Sequence, residues 1–160
     1  MSGWLTSITI ENFKAYGKSQ VIPIKPLTLI FGQNSAGKSS IFHALAFLKW
    51  CHTTGGNCNP DKVELGWESV SLGGWQNLIF GHNPTKEMRL GVGYGSSDIT
   101  WSFKYQGPEF AASVCEMRED TEPSGIFVNT GGTHPKWRGT FNRDGVVGMS
   151  LRSLKLVATG

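Results

Sequence analysis

Residues 27–45 read Leu27-Thr28-Leu29-Ile30-Phe31-Gly32-Gln33-Asn34-Ser35-Ala36-Gly37-Lys38-Ser39-Ser40-Ile41-Phe42-His43-Ala44-Leu45, and this stretch decides the fold. Residues 32–39 satisfy G-x-x-x-x-G-K-[ST] at every fixed position. The spacing has a chemical reason. Glycines let backbone N–H groups converge on an anion. The loop opens a helix whose first N–H groups are unpaired and carry partial positive charge. Lys38 adds a full charge for the β and γ phosphates, and the Ser39 hydroxyl is placed to ligate Mg2+. The expected ligand is a nucleoside triphosphate with Mg2+, held by Gly32, Gln33, Asn34, Ser35, Ala36, Gly37, Lys38, Ser39 and Ser40. A chain with 21 glycines can match this pattern by chance, roughly once in a hundred times at ordinary residue usage. Context separates the two cases, because a strand must precede the loop and a helix must follow. Residues 27–31 are a continuous apolar run, the pattern of a central strand covered on both faces. Residues 40–50 are good helix formers and apolar on nearly every side, which predicts a buried helix. Gly55 and Gly56 end it.

Toward the N-terminus, residues 5–12 alternate apolar and polar around Ile8 and Ile10, as a half-buried strand does. Residues 13–18 read as a turn. A second strand near residues 20–24 is bounded by Pro23 and Pro26, which predicts a sheet edge. From Val63 the texture changes to short β-prone stretches between Gly, Asn, Pro and Ser. Strands are expected at 63–72, 87–94, 99–105, 110–117, 126–129, 136–141 and 150–157, closely spaced as in antiparallel meanders. Residues 93–98 form a hairpin-turn pattern, and residues 117–124 are polar and read as a loop. The fold class is α/β. One mixed sheet holds the central strand, loop and helix in residues 1–62, and residues 63–160 form an antiparallel β region.

These residues carry a family resemblance. Ile8-Thr9-Ile10-Glu11-Asn12-Phe13-Lys14, followed some twenty residues later by the N-S-A-G-K-S loop, resembles the N-terminus of an ABC-type ATPase head of the SMC, RecF and OLD group. The likeness is nearest to the bacterial AAA-like ATPases found in DNA repair and antiviral defence. Residues 71–79, Ser-Leu-Gly-Gly-Trp-Gln-Asn-Leu-Ile, are similar to an L-G-[SG]-[FW] element that follows the first helix in that group. The likeness covers residues 5–80 and is only architectural afterwards. It implies ATP as the nucleotide, sandwiched between two heads of a homodimer, with Asn12 and Lys14 near the phosphates and base. It also implies nucleic acid, or an effector or nuclease partner, as the regulated object.

Two look-alikes fail on their surroundings. Residues 71–76 contain the letters of an ABC signature in scrambled order, with no acidic strand after them. Residues 112–116 end in Glu116 without the apolar run and Asp-Glu pair of a Walker B strand. No catalytic acid is assigned, and the chain reads as the N-terminal part of a larger head. The alternative is a scaffold or sensor that binds nucleotide without hydrolysing it. A GTPase or kinase reading fits less well, since neither N-K-x-D nor D-x-x-G follows the helix.

Bulk properties agree with a globular chain: 160 residues, 39% apolar and 17% charged. No apolar run approaches the ~20 residues of a membrane span, and the first residues lack a signal-peptide pattern. The expectation is a cytoplasmic protein without membrane contact. Three cysteines, Cys51, Cys58 and Cys115, predict free thiols. Cys51, His52 and Cys58, with His43 two turns earlier, lack the paired C-x-x-C of a zinc knuckle. The net charge of +3 does not diagnose nucleic acid. Lys136, Arg138, Arg143, Arg152 and Lys155, against Asp144 alone, form a basic stretch that reads as a solvated sheet face or a phosphate-tracking surface.

Overall fold

The computed structural model describes residues 4–34, 36–54, 57–58, 63–64, 69–95, 97–106, 109–119, 122–129, 137–141 and 145–149, with side chains at 4–34, 36–51, 70–95 and 97–105. The chain runs β1 (Leu5–Glu11), β2 (Gln20–Pro23), α1 (Lys38–Thr54), β3 (Asn57–Cys58), β4 (Val63–Glu64), β5 (Ser69–Val70) and α2 (Gly74–Leu78). Six more strands follow: β6 (Met88–Tyr94), β7 (Ser97–Gln106), β8 (Glu109–Glu119), β9 (Glu122–Asn129), β10 (Trp137–Phe141) and β11 (Gly145–Met149).

The main sheet is a meander in the order β11-β10-β9-β8-β7-β6-β1-β2, with β3 added on β8. The period-two pattern at the N-terminus becomes β1, whose Ile8 and Ile10 are buried. β1 pairs antiparallel with β6, setting Ile8 opposite Val92 and Ile10 opposite Leu90. β2 closes that end of the sheet through Ile8–Ile22, at the edge that its prolines require. The turn expected at 93–98 joins β6 to β7, with Tyr94 opposite Ser97. The strand expected at 150–157 lies outside the described residues, and of the basic residues at 136–155 only Arg138, in β10, is described.

α1 lies over the β1 end of the sheet. Ile41, Ala44, Phe47, Leu48 and Cys51 are buried, a helical spacing that puts them on one face. Phe47 meets Phe103 of β7 edge-on at 5.3 Å, the geometry favoured by the ring quadrupoles. The helix is not buried all round, as its apolar sequence suggested, because Phe42 faces solvent.

The largest departure is at residues 27–31. They form no strand, and Leu27, Leu29 and Phe31 are 78%, 67% and 84% exposed. Only Ile30 packs against the core. Every described pairing of the sheet is antiparallel, so the parallel pairing needed for a mixed sheet is not among them. β1 has β2 and β6 on its two sides, and residues 27–31 pair with no described strand, the open edge of β2 included. An apolar run reports that a segment should be covered, not which segment covers it.

Candidate nucleotide-binding site

Two segments distant in sequence build one cavity. It is about 340 Å3 and is lined by Lys14 and Ala15, by Asn34, Gly37, Lys38, Ser39 and Ser40, and by His43. That volume is in the range of small-molecule sites.

The loop comes first. Gln33 accepts a bond from the Ala36 backbone at 3.2 Å, and Gly37 accepts one from Ser40 at 3.0 Å. Gly37 has φ +87°, and a Cβ there would lie 2.9 Å from Ala15 Cβ and 3.2 Å from Tyr16 Cε2. Only glycine combines that backbone with that approach. The conformation of the loop therefore depends on the turn that follows β1. Lys38 Nζ donates to the carbonyls of Gly32 at 2.7 Å and Gln33 at 2.6 Å. Its charge is held at the loop mouth by backbone oxygens that a phosphate can replace. Ser39 is exposed at the cavity, whereas Ser40 is buried.

The turn after β1 supplies the opposite wall. Phe13 and Tyr16 exchange backbone hydrogen bonds of 2.9 and 2.8 Å. Asn12 and Lys14 both have positive φ, 51° and 47°. Asparagine tolerates that region; lysine does so only when its surroundings hold it there. The Lys14 backbone N–H donates to Leu78, and Nζ donates to the Leu72 carbonyl at 3.2 Å. Residues 72–79 thus pin Lys14, with Leu72, Leu78 and Ile79 buried beneath. Burial lowers the Lys14 ammonium below the ordinary lysine range, because a charge loses solvation in a partly enclosed wall.

The expected residues divide plainly. Lys14, Asn34, Gly37, Lys38, Ser39 and Ser40 converge on the cavity. Gly32 and Gln33 contribute carbonyls to Lys38, and Ala36 stands exposed beside them. Ser35 lies outside the described residues. Asn12 does not line the cavity; its amide donates to the Glu87 carbonyl at 2.9 Å and ties the end of β1 to the start of β6. Ala15 and His43 are the residues whose place in the wall was not foreseen; the chemistry lies with His43. It follows Ser39 by four residues on α1, a spacing that puts both on one helix face. Its Nδ1 is buried without a hydrogen-bond partner. Burial, and then the charge of Lys14, lowers its imidazole below the ordinary value of 6.5.

The cysteines correct another expectation. Cys51 is buried at the inner face of α1 and is disulfide-bonded, so the chain does not hold three free thiols. The side chains of His52, Cys58 and Cys115 lie outside the described residues. Glu116, the weak Walker B candidate, is an interior position of the meander strand β8 opposite Thr100 and Ile126.

A family model described as an AAA domain matches residues 7–119, well over half of the chain. The chain belongs to the AAA domain family. The match takes in the loop, the β1 turn and His43, so the whole cavity of this AAA domain lies inside it. The resemblance to the SMC and RecF group also holds. The AAA domain is 46% identical over 44 residues to the "DNA replication and repair protein RecF" of Shewanella baltica, across 28% of this chain and 12% of that protein. It is 43% identical over 53 residues to the "Structural maintenance of chromosomes protein 1B" of Mus musculus, across 32% of this chain and 4% of that protein. The chain thus matches only a small part of the length of these relatives. No solved structure matches it. No helix among the described residues is long and apolar enough to cross a membrane.

Proposed function

We propose that this chain is the N-terminal nucleotide-binding part of an ABC/SMC-like ATPase head. In this reading Lys38 and the backbone of residues 32–39 hold the ATP phosphates. The observation that carries it is the convergence of Lys38, Ser39, Gly37 and Lys14 on one cavity at the start of α1. Two ammonium groups and a helix N-terminus facing one concavity suit a polyanion. Mg2+ fits the donor set, since it keeps several waters and takes few protein ligands besides substrate phosphates. Ser39 would supply the hydroxyl, and the ion would neutralise charge on the β and γ phosphates.

The exposed run Leu27, Leu29 and Phe31 supports the larger head. An apolar strand sequence beside the phosphate loop suits a covering strand from the remainder of such a head. By analogy with the relatives, nucleotide-driven closure of two heads would regulate work on nucleic acid, in DNA repair or defence, directly or through an effector or nuclease. A cytoplasmic location accords with that role.

The test is calorimetric titration with MgATP. Lys38→Ala should abolish binding while the thermal unfolding transition stays in place, and Ser39→Ala should weaken the Mg2+-dependent part. Unchanged affinity in Lys38→Ala would overturn the assignment. A second reading, a non-hydrolysing scaffold or sensor, is favoured by one observation: among the described residues no Asp or Glu lines the cavity. Hydrolysis needs a group to orient water and a complete Mg2+ shell. Phosphate release that disappears in Lys38→Ala would exclude that second reading.

A further inference from the structure

The phosphate-loop motif accounts for one end of the cavity and leaves the other unexplained. The loop and first turn of α1 supply Asn34, Gly37, Lys38, Ser39 and Ser40. Beyond them, one turn along the helix, the wall is made by His43, and Lys14 and Ala15 of the β1 turn stand opposite. At a rise of about 1.5 Å per residue, His43 stands about 6 Å along the axis from Ser39. A ligand whose terminal phosphates sit on the loop reaches His43 only with its remaining part. We infer that His43, with Lys14 beside it, recognises the nucleoside end of the nucleotide, its α-phosphate and ribose, and so sets the preference for a nucleotide over a bare polyphosphate.

The inference rests on the nucleotide reading above, and three further observations support it. The Nδ1 atom of His43 is buried and has no partner. A buried polar atom without a partner carries a desolvation penalty, which a turn of the ring toward a ligand group in the cavity would relieve. Burial and the Lys14 charge disfavour the imidazolium. The neutral ring has one donor and one acceptor nitrogen, which suits a hydroxyl-bearing sugar. Lys14 is held in the opposite wall by the Leu72 carbonyl, and its ammonium supplies the charge for an α-phosphate. The structural alternative is that His43 only fills space against α1, and that alternative makes a different prediction.

The experiment titrates the full chain and its His43→Ala variant with MgATP, MgADP and magnesium tripolyphosphate. His43→Asn is the companion variant, retaining a polar group should the alanine disturb α1. One hydrogen bond is worth about 0.5–1.5 kcal/mol net, which converts to about twofold to twelvefold in affinity. His43→Ala should weaken ATP and ADP by that factor and leave tripolyphosphate unchanged, and His43→Asn should recover part of the loss. Equal weakening of ATP and tripolyphosphate in both variants would show a structural role and overturn the inference. ATP affinity unchanged in both would overturn it as well. Failure of the unsubstituted chain to bind either ligand would overturn the nucleotide reading itself, a result distinct from those two.

Discussion

Gly37→Ala probes the link between the phosphate loop and the turn after β1. The new methyl group meets two costs. The first is backbone strain at φ +87°, about 1–2 kcal/mol for an L-residue in the left-handed region. The second is contact: a Cβ would lie 2.9 Å from Ala15 Cβ and 3.2 Å from Tyr16 Cε2. Ala15 Cβ is bonded directly to the backbone and cannot swing aside, so the loop must move. The total expected is about 2–4 kcal/mol, within the range of strained-backbone and overpacking substitutions. It divides between stability and binding according to how far the loop relaxes. If the loop stays on the turn, the loss appears as a lower urea midpoint. If the loop lifts off, the midpoint holds and MgATP affinity falls by one to three orders of magnitude, at about 1.4 kcal/mol per factor of ten. The two measurements are therefore summed. Ala15→Gly in the same chain removes the closer contact and should restore part of the loss, leaving the backbone strain. A Gly37→Ala variant with unchanged midpoint and unchanged affinity would refute the proposed coupling of turn and loop.

Phe47→Ala removes a fully buried ring that packs on Phe103 and should cost about 3–5 kcal/mol, read as a lower urea midpoint with an unchanged slope. Leu29→Ser combined with Phe31→Ser should shift stability by no more than about 0.5 kcal/mol, as exposed sites do, while reducing binding of a hydrophobic dye; a large loss would show that the segment is covered. Glu87 gives a pH signature. Burial raises its carboxyl, but hydrogen bonds from Ser102 and Arg89 and the charges of Lys104 and Arg89 outweigh burial and leave it below the usual carboxylate value of 4.5. Its stabilisation is present above that unfolded value and is lost as pH falls through the folded one. Glu87→Gln should therefore flatten the acid limb of the stability curve, measured by thermal melts between pH 3 and 7, on the order of the range in which carboxylates titrate.

The period-two alternation around Ile8 and Ile10 placed β1 correctly because one face of that strand is buried, and burial is what alternation reports. The meander was legible in part for a similar reason, since turn residues punctuate it at 93–98, but the polar run 117–124, read as a loop, is strand up to Glu119 and again from Glu122. Residues 27–31 were not legible in the same way. Their composition calls for burial on both faces, but composition does not name the strand that covers them, and no described strand pairs with 27–31. Cys51 shows the limit of counting: an odd number of cysteines does not exclude a bond between two of them, and Cys51 is bonded.

At the site, the loop motif was legible because it occupies consecutive positions, and Asn34, Gly37, Lys38, Ser39 and Ser40 of it line the cavity. The opposite wall was legible only in part. Asn12 and Lys14 stand two residues apart and both have positive φ, yet one anchors Glu87 and the other enters the cavity. Nothing in the sequence around them separates these roles, because the separation comes from residues 72–79, some sixty positions away, which hold Lys14 by its backbone and its ammonium. His43 was hidden differently. Its spacing from Ser39 was available, but an isolated histidine on an apolar helix usually serves the core. The cavity and the unpartnered Nδ1 separate the two meanings. The consequence is mechanical as well as chemical. Gly37 of the loop rests on Ala15, and the neighbouring Lys14 is pinned by the segment before β6, so loop, β1 turn and residues 72–79 form one packed unit.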